Sequence, residues 1–371
     1  MARVIDFHKH ITNETADRKY YPWQQTWHVC MMWAYGGRKG TMKPPFLRDP
    51  QTLYPRQGLR IADPEGKWTV QDMDEAGVDA SVALPVDYDF SWGSHSDIQI
   101  EEKHQHLSEL QKKYPGRIFG FAGPDPRRPG AVDIFTRGIK EHGLRGLKLI
   151  PKTGYYPWQE EVYQLLDRAL ELGVPAAICT QPSGGGYNRM RFSDPIHVDD
   201  AIGDFPDLTI VMLHAGAPIR HFFENALWSA CNNINAYLQL DFWLRGFDGS
   251  KMLPSFTMDE EAVIRLLARA RDVVGAHKLL FGTDSHSGPS MHGRNLFGSA
   301  TGFSYKELVD WLKKLPERAA RYGITFSSEE VDWFLGENSA RILGIGKDSA
   351  WDIPHKYGFK RRSPIAFRGA S

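Results

Sequence analysis

The sequence predicts an α/β fold, a (β/α)8 TIM barrel with a long aromatic-rich insertion after strand 1. Short β-rich apolar runs alternate with amphipathic helical stretches, the pattern of a parallel sheet with crossover helices. There are eight such runs, near 3–7, 78–84, 118–122, 146–150, 174–179, 208–213, 236–240 and 278–281. The 371 residues exceed the roughly 250 typical of such a barrel, so the surplus is assigned to insertions on one domain spanning 1–371. The two main additions are 11–68, a lid or an interface, and a C-terminal extension over 345–371.

The first strand runs through Val4, Ile5, Asp6 and Phe7 into His8-Lys9-His10. Strand side chains alternate with a period of two, so His8 and His10 share a face, and paired imidazoles on a rigid strand make half a metal site. After it comes the aromatic insertion, with Tyr20-Tyr21-Pro22-Trp23 and later Met31-Met32-Trp33. That much apolar surface needs cover from the barrel mouth, another subunit or its own packing. The fourth strand leads to Tyr155-Tyr156-Pro157-Trp158, a second aromatic loop suited to walling the mouth.

A helical pattern at 162–172 stops at Gly173, and the fifth strand follows, ending at Cys179. Ser183-Gly184-Gly185-Gly186 is phosphate-loop-like in composition only, because no Lys-Ser/Thr pair follows, and it is read as a flexible mouth loop. Cys231, in a helix-like stretch, is expected as core filler. The eighth strand runs into Gly282-Thr283-Asp284-Ser285-His286, an apolar strand finishing on a carboxylate, the layout of catalytic groups at a barrel's C-terminal mouth.

Composition narrows the function classes. Lys+Arg and Asp+Glu are 45 each, so neither a nucleic-acid footprint nor a polybasic membrane patch is expected. No apolar run approaches the roughly 20 residues of a spanning helix, and no leader-like segment precedes the first strand, so a cytoplasmic location is expected. Three cysteines in so long a chain, Cys30, Cys179 and Cys231, do not make a disulfide framework.

Taken together, Asp6-x-His8-x-His10, Gly143-Leu144-Arg145-Gly146-Leu147-Lys148, Leu172-Gly173-Val174-Pro175, Leu213-His214-Ala215-Gly216, Phe281-Gly282-Thr283-Asp284 and the tail from Phe334 to Gly344 resemble the amidohydrolase-related family. This is the amidohydrolase-superfamily branch that includes aminocarboxymuconate-semialdehyde decarboxylase and the resorcylate-type decarboxylases. The resemblance implies one divalent metal, usually zinc, held at the mouth by the first-strand histidines His8 and His10, a fifth-strand histidine and Asp284. His214 is implied as ligand or acid/base. Lys148 could be a carboxylated bridging ligand in dinuclear relatives, or a structural or substrate-contacting cation. Arg145, Arg220 and His221 are weighed between substrate contact and supporting roles.

One position departs from the family pattern. Pro175-Ala176-Ala177-Ile178-Cys179-Thr180-Gln181 places Cys179 where the fifth-strand imidazole is expected. A thiolate is a good zinc or iron ligand, so Cys179 could replace it. Alternatively Cys179 is a buried strand residue and the centre has lost a ligand, or His28 or His286 completes the sphere. The ligand set is therefore His8, His10, Cys179, His214 and Asp284, for zinc, iron or manganese, with His214 and Asp284 as the catalytic pair. The expected function is a lyase (decarboxylase) or hydrolase acting on a small carboxylate, in a homo- or hetero-oligomer. The missing histidine also admits a metal-binding subunit of an amidohydrolase-fold non-haem oxygenase, of the 2-aminoisobutyrate hydroxylase type, paired with a homologous chain. A barrel that has lost its chemistry is disfavoured by the retained polar set, which would be costly to bury without a ligand.

Overall fold

A computed structural model describes residues 3–15, 17–21, 61–92, 95–182, 188–245, 259–289 and 304–346. Most of the 11–68 insertion, His28, Cys30, the Ser183–Gly186 loop and nearly all of the 345–371 extension lie outside the described residues. The strands are β1 (Ile5–His10), β2 (Ala80–Ala83), β3 (Ile118–Gly120), β4 (Leu147–Leu149), β5 (Ala176–Cys179), β6 (Ile210–Leu213), β7 (Ala236–Gln239), β8 (Leu279–Leu280) and β9 (Ser285–His286). Helices intervene: α1 (Lys67–Ala76), α2 (Ile100–Lys113), α3 (Ala131–Lys140), α4 (Glu160–Leu172), α5 (Ile196–Asp204), α6 (Arg220–Asn232) and α7 (Glu260–Val274), with α8 (Tyr305–Lys313) after β9.

All strand pairs are parallel, in two arcs ordered β3-β2-β1-β9 and β4-β5-β6-β7-β8. Backbone bonds join the arcs. Lys148 N donates to Ala122 O at 2.7 Å, Phe7 N to Phe281 O at 3.0 Å and Asp284 N to His8 O at 2.7 Å. The eight predicted strands thus close into a ring, and β9 continues the eighth strand beyond a four-residue bend at 281–284. Among the described residues no helix is long and apolar enough to cross a membrane.

Two apolar layers follow from strand alternation. Ile5, Phe7, Val82, Phe121, Ala177, Val211, Leu213 and Leu280 fill the barrel, whereas Val4, Leu147, Leu149, Ile178, Ile210, Met212 and Leu238 pack under the helices. The helices have legible ends. α4 stops at Gly173, whose φ of 67° permits its N–H to reach the carbonyls of Ala169 and Leu170. α7 begins at Asp259, whose side chain accepts from Ala262 N, and α8 begins with a reciprocal Ser304–Glu307 capping box. Cys231 is exposed rather than core: α6 buries Phe222, Phe223, Ala226, Leu227, Ser229 and Ala230, and Cys231 falls on its outer face.

β1 changes register between Asp6 and Lys9. A bulge reverses the alternation, so Phe7 lies in the barrel core, while His8 and His10 turn into the mouth. Lys9 turns outward, its Nζ donating to Ser285 Oγ at 2.9 Å over the Tyr305 ring.

Candidate metal centre

The two β1 histidines stand together as their spacing predicts, with ring centroids 5.1 Å apart. His10 Nδ1 lies 2.7 Å from Leu84 O, an atom that can only accept, so Nδ1 carries the hydrogen. Its Nε2 lone pair then faces Asp284 Oδ1 at 2.8 Å. His8 Nε2 is 3.2 Å from the same oxygen, and its Nδ1 is 3.5 Å from Asp241 Oδ2. Both nitrogens of His8 are buried without a hydrogen bond. His8, with neither nitrogen hydrogen-bonded, His10 and the Asp284 carboxylate thus converge closely enough to hold a cation.

Asp284 is positioned by the bend in the eighth strand. It has φ 49°, and among the described residues the other non-glycine positions with positive φ are His214 (67°) and Ala215 (41°), so all three sit at strand ends in this site. Asp6 ties the bend to β1: its carboxylate accepts from His8 N at 3.0 Å, Thr283 N at 2.9 Å, Thr283 Oγ1 at 2.6 Å and Tyr305 OH at 2.7 Å.

His214, at the end of β6, packs 4.9 Å from His8 between ring centroids. Both oxygens of Asp241 lie 3.0 Å from its Nδ1, and its backbone N–H donates to Gln239 Oε1 at 3.0 Å. Gly282 leaves room for that glutamine, since a Cβ there would stand 2.2 Å from Gln239 Nε2. Asp241 was not anticipated, although the signal was present: β7 is also an apolar strand that runs straight into a carboxylate, as the eighth strand does.

The electrostatics separate these groups. Burial holds the His8 imidazole well below its ordinary range, with Lys148 adding to the effect, so the ring is neutral and able to offer a lone pair. Burial alone would raise Asp284, but its attraction to the surrounding imidazoles of His8, His10 and His214 in their protonated forms holds it well below the usual carboxylate value. Burial works against protonated His214 and is outweighed by Asp241 and Cys179, which lift it to about 9. Burial likewise opposes a Cys179 thiolate, yet Lys152, His214 and Lys148 bring that thiol down to about 6.

Among the described residues two three-residue groups have ligand atoms close enough to share an ion: His8, His10 and Asp284, and His8, His214 and Asp241. In the second both Asp241 oxygens are engaged by His214 Nδ1, whereas in the first a single Asp284 oxygen faces both His8 and His10, so the donor set of the first fits a divalent ion better. Cys179 joins neither group, and its charge interacts with that of His214. His286 stacks on His10 at 5.1 Å and lies 3.4 Å from Tyr21 OH. Tyr20 and Tyr21, from the insertion, pack with Val86, Ile98, Ile150 and Cys179 at the mouth.

Other candidates sit elsewhere. Arg145 donates to Leu343 O at 3.1 Å, at the end of the barrel closed by the C-terminal segment. Arg220 lies over Trp243, and His221 packs on Phe222. In the fourth-strand loop, Tyr155 OH accepts from Ile150 N at 2.6 Å, whereas Trp158 stacks on Tyr156 and is half-exposed.

Several solved structures share this fold. A 5-carboxyvanillate decarboxylase from Novosphingobium aromaticivorans, in complex with manganese and 4-hydroxy-3-methoxy-5-nitrobenzoic acid, is 14% identical, with 92% of this chain and 96% of that chain covered at a TM-score of 0.56. A 2,6-dihydroxybenzoate decarboxylase bound to 2,6-dihydroxybenzoate is 12% identical over 93% and 100%, with a TM-score of 0.55. A probable 2-pyrone-4,6-dicarboxylic acid hydrolase from Acinetobacter baumannii with bound citric acid is 13% identical over 92% and 99%, at 0.54. Identities this low carry the fold alone. No curated protein matches the sequence, and none of the comparisons favours the oxygenase-subunit reading. The family model described as amidohydrolase matches residues 5–345, nearly the whole chain, and the chain belongs to that family.

Proposed function

We propose that this chain is a metal-dependent decarboxylase of a small aromatic carboxylate. The observation that carries the reading is the convergence of His8, His10 and Asp284 on one point, with neither nitrogen of His8 hydrogen-bonded, beside a histidine locked by Asp241. A divalent ion of the zinc or manganese class, held by His8, His10 and Asp284, supplies a Lewis-acid anchor for the substrate carboxylate. Asp241 straddles His214 Nδ1, so the proton available for transfer is the one on Nε2. Asp284 held ionised and His214 held protonated support the acid role for His214. As the carbon–carboxylate bond breaks, its electron pair stays on carbon and takes up the His214 proton; carbon dioxide leaves and water restores the proton. Tyr20 and Tyr21 cover the mouth and keep bulk water from the reacting carbon.

Hydrolysis is the second reading, favoured by Asp284, which stays ionised and could take a proton from water. The test strips the protein with chelator, restores Mn2+ or Zn2+, and follows carbon dioxide release from hydroxybenzoates in D2O. Metal-dependent release with one deuterium placed on the product carbon is expected, and His214→Asn should lower kcat by about 10²–10⁴-fold with metal retained. Turnover unaffected by metal removal contradicts the reading, and metal-dependent turnover of lactones without carbon dioxide release selects hydrolysis instead.

A further inference from the structure

Thr283 and Ser285 flank Asp284, and alternation turns their side chains away from the mouth that Asp284 faces. Both are buried on the outer side of the barrel wall, together with Asp6, Lys9 and, from α8, Tyr305. These five side chains close a circuit. Lys9 Nζ donates to Ser285 Oγ at 2.9 Å, and Ser285 Oγ lies 2.7 Å from Thr283 Oγ1. Thr283 Oγ1 donates to Asp6 Oδ2 at 2.6 Å, and Tyr305 OH donates to the same oxygen at 2.7 Å. The Tyr305 ring closes the loop, its centroid 4.7 Å from Lys9 Nζ.

The hydrogens of this circuit have one arrangement. Asp6 accepts two backbone N–H groups on Oδ1 and two hydroxyls on Oδ2, which fills its acceptor positions and fixes its plane. Thr283 commits its single hydroxyl hydrogen to Asp6, so Ser285 donates to Thr283, and the Lys9 ammonium donates to Ser285. A buried carboxylate that loses one of these donors is left partly unsatisfied, so the members act as a unit. What they hold is the residue on either side of Asp284, whose φ of 49° is uncommon away from glycine. Asp284 N itself donates to His8 O at 2.7 Å, so the bend is tied to β1 at 283, 284 and 285 in turn.

We propose that Tyr305 and Lys9 are positioning residues for the metal centre: from outside the barrel wall they hold Thr283 and Ser285, and thereby set Asp284 Oδ1 at 3.2 Å from His8 Nε2 and 2.8 Å from His10 Nε2. Both act through the residues beside the ligand rather than on the ion. The inference rests on the reading of His8, His10 and Asp284 as ligands, and adds that the affinity for the ion is set in part from α8.

The test uses the full-length protein with Tyr305→Phe, which keeps the ring under Lys9 and removes one hydroxyl, and with Lys9→Met, which keeps the stem and removes the ammonium. Asn235→Ala is the control for lost stability alone, since that amide donates to Ile202 O at 3.2 Å, Phe205 O at 2.8 Å and Leu208 O at 2.9 Å, away from the bend. Mn2+ affinity is read by titration with electron paramagnetic resonance, and amide hydrogen exchange at Thr283 and Asp284 is read on the metal-free protein. Each variant should bind manganese about 10-fold or more weakly than Asn235→Ala, the usual size for a group that orients a ligand, and exchange at the two amides about 10-fold faster. If Lys9→Met does not fold, Tyr305→Phe carries the test. Manganese affinity within about 2-fold of the Asn235→Ala value in every folded variant overturns the positioning role and leaves the metal reading intact. Where the wild type binds no manganese, faster exchange in the variants keeps the hold on Asp284 and removes the metal reading, and unchanged exchange removes both.

Discussion

His214 depends on Asp241 more than on any neighbour of its own strand. With both oxygens of Asp241 at 3.0 Å from Nδ1, the ring orientation and the location of its transferable proton are fixed from β7. Asp241→Asn keeps the shape but can no longer stabilise the imidazolium, so kcat should fall by about 10²-fold or more while manganese content stays at the wild-type level. A variant that loses metal and activity together would instead make Asp241 a ligand. At this scale the sequence was informative where spacing is short and silent where it is long. His8 and His10 were legible because two residues on one strand share a face. Asp284 was legible as a carboxylate closing a strand. Asp241 has the same layout and was passed over. Cys179 was read either as a replacement ligand or as a buried strand residue, and its place near His214 depends on the pairing of β5 with β6, which no local pattern encodes.

Elements carry a second consequence, in the contact between α2 and the segment after β3. His104 is buried on α2, and its Nε2 accepts from Gly123 N at 3.0 Å, a role open only to the unprotonated nitrogen. Burial, helped by His142 and Lys103, brings its pKa down to about 3. The unfolded chain binds a proton near its ordinary 6.5 and the folded chain does not, so stability is highest above 6.5 and declines as pH falls towards 3. The slope in that window is about 1.4 kcal/mol per pH unit for this group. Urea denaturation at a series of pH values should show it, and His104→Gln, whose side-chain oxygen can still accept from Gly123, should remove one proton's worth of slope. An unchanged slope would place the acid sensitivity elsewhere. Helix positions and ends were readable from periodicity and from Gly173, whereas the β1 bulge was not. A strict alternation would have turned either Phe7 or the histidines away from the barrel interior. The bulge admits both, and nothing in the local sequence marks it.

The whole barrel is closed at its lower end by the C-terminal segment. Asn338 is buried and its Nδ2 donates to Ala276 O and Leu279 O at 2.8 Å each, while Ala340 and Leu343 pack on the barrel core. Gly336 lies against β1 so closely that an added Cβ would stand 2.0 Å from Arg3 O. Gly336→Ala should therefore lower stability by about 3 kcal/mol, read as a lower urea midpoint, and Asn338→Ala by about 2 kcal/mol through two orphaned carbonyls. The eightfold alternation predicted the architecture because each βα unit repeats the same local signal. The four donors on Asp6, drawn from residues as far away as Tyr305, were out of reach, because they exist only once the ring has closed.

The central claim is that His8, His10 and Asp284 hold one divalent ion beside a separate His214–Asp241 acid. Mn2+ titration followed by electron paramagnetic resonance tests it on the wild type and on His10→Ala, Asp284→Ala, Cys179→Ala and Asp241→Asn. One manganese per chain, lost in the first two variants and retained in the last two, is the predicted result. Retention in His10→Ala and Asp284→Ala, or loss in Cys179→Ala, would contradict the account.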